Sequence, residues 1–289
     1  MKNTLCIFLL FLTVHLSGQN TMSPDGYAVV EDLIELRIQS VKNEDLKMRW
    51  DFNKQFSDKL KDLIINNKDL IPLLDSIPYF GKVASPDKKL TIYTWNMVSE
   101  RNEFTYFTFI DIKGEDLMVL SDESKNMDEP LVKQNKSSNW YGALYYEIIP
   151  TKVKKQGVHY MLLGWDGNSR NSTRKVIDIL YFDKEFNNWY FGKNVFGPPF
   201  TNQKRFFIEY SSEVVVSLKY HPKTDQVVFD HCIPPNKGLE GIYDYYVPDM
   251  SFDAFEFRKD RWYFVQNVDV RGDQTMENYT EPPKIKTRK

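Results

Sequence analysis

Cysteine and histidine are scarce in this chain of 289 residues, which has two cysteines and four histidines. The sequence also lacks a Gly-rich phosphate loop, a His-Glu-x-x-His pair, a paired-cysteine motif and the spacing of a calcium-binding loop. Each of these motifs would have indicated a nucleotide, zinc or calcium site. Without them we predict no cofactor, and no motif by itself assigns a reaction.

An excess of one charge and long apolar runs are missing too. The chain has 38 basic and 40 acidic residues, so its net charge of −2 gives no basic field for a nucleic acid partner. Beyond the N-terminus no segment approaches 18 consecutive apolar residues, which predicts no transmembrane segment after that point. A hydrophobic fraction of 42% and a charged fraction of 27% exclude disordered, collagen-like and polytopic membrane proteins.

The N-terminus has the features of an export signal. Lys2 precedes an apolar run at 5–16, and the small residues Ser17 and Gly18 follow it. This run is shorter than the roughly 20 residues that span a bilayer, so it predicts a cleaved signal peptide over 1–18 and a periplasmic or secreted protein. The alternative is an uncleaved interfacial segment. Cys6 lies inside the run and not at its end, so we predict no lipoprotein.

Aromatic side chains are abundant, with 6 Trp, 17 Tyr and 20 Phe making 15% of the chain. Removal of 1–18 would leave Cys232 as the sole cysteine, which excludes an intramolecular disulfide. The exported protein would therefore depend on core packing for its stability, and large aromatic side chains supply the buried area that this requires.

Residues 19–80 have a helical pattern. Pro24 suits the first turn of a helix, and apolar residues then recur near the helical period at Val30, Leu33, Ile34, Ile38 and Val41. A second helix is predicted over 46–65, with a buried side formed by Trp50, Phe56, Leu60, Leu63 and Ile64. Pro72 and Pro78 close this helical segment.

From 81 to 272 the pattern is that of β-strands separated by short turns. Segments 90–95 and 104–112 are rich in β-branched and aromatic residues, and the short intervals between successive strands favour antiparallel hairpins. We therefore predict an α+β protein with N-terminal helices followed by a large antiparallel β-meander domain. The polar stretch 121–139 is either a surface loop or a domain boundary, and 273–289 is predicted to be a disordered tail.

A candidate glycan site is formed by Trp165, Asp166, Asn168 and Arg170. Sugars stack their C–H faces on aromatic rings, while their hydroxyl groups require polar partners such as carboxylates, amides and guanidinium groups. The alternative is purely structural: Asp166-Gly167 would supply the positive φ of a type I′ turn, and Trp165 would pack in the core.

A candidate metal site uses His221 and His231, with Asp230 and Cys232 on either side of the second histidine. Histidine, cysteine and aspartate are all common metal ligands. Alternation along a strand would place Asp230 and Cys232 on one face and His231 on the other, which favours a buried thiol and a hydrogen-bonded histidine instead.

Paired carboxylates that could hydrolyse a glycosidic bond are the third candidate. The acidic residues considered are Asp166, Asp230, Asp249 and Asp253, the last two in the Tyr-rich segment 243–253. Glycosidases need two carboxyl groups at a defined separation, which spacing along the sequence does not supply.

Several short segments between 141 and 271 carry a resemblance to a known family. They are Leu163-Gly164-Trp165-Asp166-Gly167-Asn168, Lys175-Val176-Ile177, Phe196-Gly197-Pro198-Pro199, Phe207-Ile208-Glu209-Tyr210-Ser211, Phe229-Asp230-His231, Leu239-Glu240-Gly241, Tyr246-Val247-Pro248-Asp249, Phe252-Asp253-Ala254-Phe255 and Val268-Asp269-Val270-Arg271. This pattern resembles an uncharacterised family of exported proteins from Bacteroidetes. The family carries no assigned activity, so the resemblance implies export and β architecture and no catalytic residue.

Together these observations predict an exported cell-envelope protein that binds a glycan, a peptide or a protein partner without catalysing a reaction. The alternative from the same residues is a hydrolase that acts on envelope or extracellular polysaccharide through paired carboxylates. A third alternative is a metal-dependent enzyme or sensor that uses His221 and His231.

Overall fold

The computed structural model describes residues 24–99, 101, 103–154 and 156–269. The predicted signal peptide over 1–18 and the predicted tail over 273–289 lie outside these residues. Within them, two α-helices and a 3₁₀ helix precede three antiparallel sheets, which confirms the predicted α+β class and β-meander.

The helical segment contains α1 (Pro24–Lys42), α2 (Leu46–Asn66) and the 3₁₀ helix Lys68–Ser76. The carboxylate of Asp45 caps α2 by accepting hydrogen bonds from the backbone N–H groups of Lys47 and Met48, at 2.8 and 3.2 Å. The two helices bury one stripe each at helical spacing, formed by Val30, Leu33 and Leu36 in α1 and by Phe56, Leu60, Leu63 and Ile64 in α2. The expectation for Trp50 was wrong, because this side chain is 37% exposed.

The first sheet has the order β1-β2-β3-β4, with strands Gly81–Ala84, Leu90–Val98, Phe104–Ile112 and Met118–Ser121. The helices pack on one of its faces. The indole Nε1 of Trp95 on β2 donates to the Asn53 side chain of α2 at 2.9 Å, and its ring meets Phe56 edge-on at 5.3 Å.

A buried arginine also connects the helices to the first sheet. Arg37 of α1 donates hydrogen bonds to the carbonyl oxygens of Tyr79 and Asn96.

The second sheet has the order β5-β6-β7-β8, with strands Leu144–Val153, Gly157–Asp166, Ser172–Asp183 and Asn188–Phe191. A further strand, β9 (Phe206–Ser211), pairs with the first half of β7, next to the stretch that pairs with β8. Leu162 and Leu163 are successive residues of β6 that point to opposite faces, and both are 0% exposed. The second sheet is therefore covered on both faces.

The third sheet has the order β10-β11-β12-β13, with strands Leu218–His221, Gln226–Ile233, Val247–Arg258 and Arg261–Val265. Its aromatic residues pack against the second sheet, where Phe196, Phe229, Phe255 and Trp262 are buried. A separate core of Tyr106, Trp140, Tyr145 and Leu180 lies between the first and second sheets. The molecule is thus layered as helices, first sheet, second sheet and third sheet.

The polar connection between the first and second sheets is packed into the fold at two points. Trp140 is fully buried, and its backbone N–H donates to the carbonyl oxygen of Ser121. The backbone of Asn135 exchanges hydrogen bonds with that of Phe191 at the end of β8. This places Pro130, Leu131 and Val132 beside the outer part of the second sheet, where they form one wall of a groove next to β9.

Candidate functional site

Two adjoining pockets form this groove beside β9. One is about 430 Å³ in volume and the other about 160 Å³, and both are lined by Phe207, Glu209 and Tyr243. We call this feature the Glu209 groove. The larger pocket is completed by Arg174 and by the wall of residues 129–132, and the smaller one by residues of β11 and β12.

Strand β9 positions the groove by alternation. Ile208 and Tyr210 are buried in the core beneath the third sheet, so the intervening Phe207 and Glu209 face the other way. Glu209 is the register partner of Arg174 on β7, and the two side chains form an ion pair of 2.7 Å between Nε and Oε2. The side chain of Arg174 is 24% exposed and that of Glu209 is 17% exposed, so this pair is accessible from the groove.

A chain of hydrogen bonds behind the groove holds Arg174. Its Nη1 donates to the hydroxyl of Tyr141 at 3.1 Å, and that hydroxyl donates to Asp166 at 2.5 Å. Asp166 also accepts from the hydroxyl of Tyr106 at 2.8 Å. Burial and then the charge of Asp166 raise the pKa of both tyrosines, which therefore stay protonated and act as donors.

The positive charge of Arg174 is stable at neutral pH. Burial opposes the charge on Arg174, but its contacts with Tyr141 and Glu209 outweigh this and raise the pKa of the guanidinium group. Glu209 accepts three hydrogen bonds: from Asn168 Nδ2 at 3.0 Å, from Ser172 Oγ at 2.8 Å and from Arg174 Nε. The pair is therefore a preorganised set of polar atoms and not a flexible surface ion pair.

The four residues predicted to form a glycan site lie behind this groove, Trp165 and Asp166 at the end of β6 and Asn168 and Arg170 in the turn that follows. Trp165 packs its ring edge-on against Phe104 at 5.4 Å. Asp166 is only 5% exposed, and both of its carboxylate oxygens accept hydrogen bonds from tyrosine hydroxyls. Arg170 is exposed, and its carbonyl oxygen accepts from Ser212 Oγ. The structure thus gives Asp166 and Asn168 supporting roles: Asp166 holds Tyr141, and Asn168 holds Glu209.

The turn itself differs from the two-residue hairpin that Asp166-Gly167 suggested. The connection between β6 and β7 spans 167–171, and the positive φ of 49° falls on Asn168. Gly167 is required for another reason, since a Cβ there would collide with the ring of Phe104. The glycine therefore allows a close approach of backbone and ring.

The structure separates the two histidines proposed as metal ligands. His221 on β10 lies opposite Gln226, at the start of β11, whereas His231 lies near the end of that strand. At about 3.4 Å per residue this places them roughly 17 Å apart along the strand. Among the described residues, no group of three or more His, Cys, Asp or Glu is arranged to hold a metal ion.

His231 instead pairs with Asp253 on the neighbouring strand. The distance between His231 Nδ1 and Asp253 Oδ2 is 2.7 Å, and the side chains are 34% and 5% exposed. The other oxygen of Asp253 accepts from the backbone N–H of Asn267 at 3.2 Å. This pair lines the smaller pocket of the Glu209 groove.

Cys232, the next residue, is not a thiolate at neutral pH, because burial and the neighbouring carboxylates raise the pKa of its thiol to about 12.

The carboxylates proposed for polysaccharide hydrolysis each have protein partners. Asp166 holds two tyrosines, and Asp253 holds His231. Asp230 accepts from the backbone N–H of Ser217 at 2.6 Å, and Asp249 accepts from the backbone N–H and the hydroxyl of Ser251. These contacts use the carboxylates to position backbone and side chains.

Sequence reasoning missed the central pair of the groove. Phe207 and Glu209 belong to a segment that stands out in the sequence only through its resemblance, and no motif singles out Arg174. Alternation predicts that Phe207 and Glu209 share a face, but their position opposite Arg174 depends on the pairing of β7 with β9. In the sequence β8 lies between these two strands, so no local signal indicates that they pair.

Comparisons with known proteins add nothing to this geometry, because no family model, curated protein or solved structure matches the chain. In the part of the chain that the structure describes, no helix is long and apolar enough to cross a membrane.

Proposed function

We propose that this protein binds a saccharide in the Glu209 groove, and that it does so in the periplasm or outside the cell. The observation that carries the proposal is the Arg174–Glu209 pair, held rigidly by buried partners and flanked by aromatic rings in an open groove. Sugar hydroxyls bind well to planar charged side chains, which offer two donors or two acceptors side by side.

The aromatic part of the groove suits the apolar faces of a sugar. Tyr243 is 44% exposed, and its ring rests on Tyr246 at a centroid distance of 4.8 Å. Phe207 is covered on one side by the guanidinium group of Arg174 at 5.2 Å and by Tyr141. Tyr243 is therefore the ring available for stacking, while Phe207 keeps Arg174 in place.

The dimensions of the groove favour a small ligand over a protein surface. The larger pocket, at about 430 Å³, lies within the roughly 300–1,000 Å³ of small-ligand sites. Its other wall is formed by Pro130, Leu131 and Val132, which limit the width of what enters. The sequence allows a glycan, a peptide or a protein partner. A glycan of one or two sugar rings best fits a pocket of this volume that offers an exposed aromatic ring and an ion pair.

Substitution of Tyr243 tests the binding site. We expect Tyr243→Ala to weaken saccharide binding by about 10-fold, because an aromatic contact contributes about 0.5–1.5 kcal/mol beyond burial of the ring. Isothermal titration and thermal-shift assays against neutral and acidic glycans measure this. A ligand at about 100 times its Kd adds about 2.7 kcal/mol of stability, a shift of roughly 5–10 °C.

Tyr245→Ala is the matched control. Tyr245 lies in the same 3₁₀ turn, Tyr243–Tyr245, and is 52% exposed, yet it lines neither pocket. Equal losses in the two variants would contradict the proposed site. A full panel of glycans without any thermal shift would contradict saccharide binding itself.

Export is supported by the N-terminal sequence and has its own test. Expression of the full chain in a bacterium is expected to yield a protein in the periplasm or the medium that begins at Gln19, because the apolar run is read as a signal peptide. Mass spectrometry of the purified protein measures its N-terminus. Leu9→Arg interrupts the run and should keep the chain in the cytoplasm. A wild-type protein that retains Met1 would contradict cleavage after Gly18.

A further inference from the structure

The smaller pocket of the Glu209 groove contains an oriented histidine that saccharide binding does not use. His231 lines this pocket and remains one-third exposed, while Asp253 behind it is almost completely buried. A buried carboxylate that orients a partly exposed imidazole is the arrangement by which proteins hold a histidine for proton transfer.

The hydrogen bond decides which nitrogen of His231 carries the proton. An ionised carboxylate only accepts hydrogen bonds, so Nδ1 of His231 is the donor to Asp253 Oδ2. In the neutral imidazole this leaves Nε2 without a proton and able to accept one. Asp253 is itself held by the backbone N–H of Asn267, so the ring orientation is supported by two successive hydrogen bonds.

The nucleophile that this base could activate is water. Cys232 is adjacent in sequence, but burial raises the pKa of its thiol to about 12. Among the described residues, no serine, threonine or lysine side chain lines the smaller pocket, which is open to solvent. A histidine that removes a proton from water is sufficient for hydrolysis of an ester, whereas a glycosidic bond requires two carboxyl groups.

We propose that His231 is the general base of an esterase site, and that it removes an O-acyl substituent from a ligand bound in the groove. Nε2 takes a proton from water as the water oxygen forms a bond to the carbonyl carbon. The resulting tetrahedral intermediate then loses its alkoxide as the C–O bond breaks, and the imidazolium returns the proton to that oxygen. The products are a carboxylic acid and an alcohol, and Asp253 keeps its hydrogen bond with Nδ1 throughout.

The surroundings of His231 define the substrate further. Three carboxylates line the pocket with His231, those of Glu209, Asp230 and Asp253, and a fourth, that of Asp249, interacts electrostatically with its ring. They would repel an anionic ester, so the acyl group is expected to be neutral, such as acetyl. Tyr243 lines both pockets, and its hydroxyl makes no hydrogen bond within the described residues, so it is available to donate to the carbonyl oxygen. That the alcohol is a saccharide rests on the proposed function.

Hydrolysis of p-nitrophenyl acetate by the full exported chain tests this proposal. General-base catalysis contributes about 10²- to 10⁴-fold, so we expect His231→Gln to lower kcat/KM at least 100-fold. The acid limb of the wild-type pH–rate profile should be absent in His231→Gln. His221→Gln is the control, because His221 is exposed and far along the sheet from His231. Equal rates in the two variants, or a wild-type rate no greater than that of free imidazole, would overturn the proposal.

Asp253 is a positioning residue with a separate signature. Asn at this position would donate through its amide and reverse the hydrogen bond, which places the imidazole proton on Nε2 and removes the base. Asp253→Asn is therefore expected to lower kcat with little change in KM and to exchange the nitrogen NMR shifts of Nδ1 and Nε2. Unchanged kcat in a folded Asp253→Asn protein would contradict this role.

The two proposals fail separately. If ester hydrolysis depends on His231 but the protein binds no glycan, the esterase proposal is supported and the saccharide proposal is contradicted. If glycan binding depends on Tyr243 but no hydrolysis depends on His231, the proposed function is supported and the esterase proposal is contradicted.

Discussion

Arg205→Met is expected to lower the free energy of unfolding by about 3–5 kcal/mol. Arg205 and Asp178 are both 0% exposed and form an ion pair of 2.7 Å beneath the second sheet. Methionine keeps much of the length of the side chain but leaves the Asp178 carboxylate buried without its counter-charge. Removal of one partner of a buried pair is far more costly than the pair itself is stabilising. Asp178 would keep the hydrogen bonds from the Tyr145 hydroxyl and the backbone N–H of Ile179, but it would stay away from water without an opposite charge.

The same substitution also releases a loop beside the site. Arg205 donates to the carbonyl oxygen of Pro130 and to Asn135 Oδ1, at 2.5 and 3.2 Å. Residues 130–132 form one wall of the larger pocket of the Glu209 groove. We therefore expect saccharide affinity to fall together with stability in Arg205→Met, even though Arg205 lines neither pocket.

Urea unfolding of two further variants separates the buried charge from lost packing. Arg170→Met removes an exposed arginine from the same domain and should change the free energy of unfolding by less than about 0.5 kcal/mol. The double variant Asp178→Asn/Arg205→Met leaves no charge buried at this position and should be more stable than Arg205→Met alone. A loss of less than about 1 kcal/mol in Arg205→Met would show that the pair contributes little.

A buried histidine should make the protein sensitive to acid. His159 on β6 is 3% exposed, and neither ring nitrogen has a hydrogen-bond partner among the described residues. Burial, and then the positive charge of Lys193, lower the pKa of His159 to about 4. In the unfolded chain a histidine titrates near 6.5, so between these values the unfolded state binds more protons than the folded state.

The free energy of unfolding should therefore fall as the pH drops from about 6.5 to about 4, by up to roughly 3 kcal/mol from this residue alone. The stability due to neutral His159 is fully present above about pH 6.5 and is lost towards about pH 4. Urea unfolding at about pH 7 and about pH 4.5 measures this loss in the wild type and in His159→Gln, which stays neutral at both.

Because many carboxylates titrate over the same range, the informative quantity is the difference between wild type and variant. His159→Gln should lose clearly less stability between the two pH values than the wild type does. His221→Gln, which changes an exposed histidine, should behave like the wild type. An identical loss in wild type and His159→Gln would show that His159 is accessible to protons in the folded state.

Local signals in the sequence were sufficient for most of the secondary structure. The helical period over 46–65 corresponds to α2, Leu46–Asn66, and the predicted strand at 104–112 corresponds to β3, Phe104–Ile112. These elements follow from side-chain periodicity, which each segment contains in full. Trp50 was predicted to be buried because it belongs to the apolar stripe of α2, but it is at the margin of that stripe: its ring contacts Phe107 of β3 and is still 37% exposed.

The roles of individual polar residues were less predictable. Asp166 stands out in the sequence, but its environment does not: two tyrosines from distant segments, Tyr106 and Tyr141, bury it and occupy both oxygens. For His231 the sequence left open a metal shared with His221 and favoured a hydrogen-bonded histidine, but it did not indicate the partner: the register of the sheet places His231 beside Asp253. In both cases the partner is contributed by another strand.

Composition and periodicity alone determine the α+β class, the antiparallel meander and the large aromatic core, and the apolar run at 5–16 predicts export. Each depends on interactions between near neighbours in the chain or on totals over the whole of it. The Glu209 groove depends on the folded molecule. Although β8 lies between β7 and β9 in the sequence, β9 pairs directly with β7, and this pairing brings Glu209 opposite Arg174. Strand register is set by the packing of both faces of the second sheet at once, and that packing exists only when all three sheets are in place.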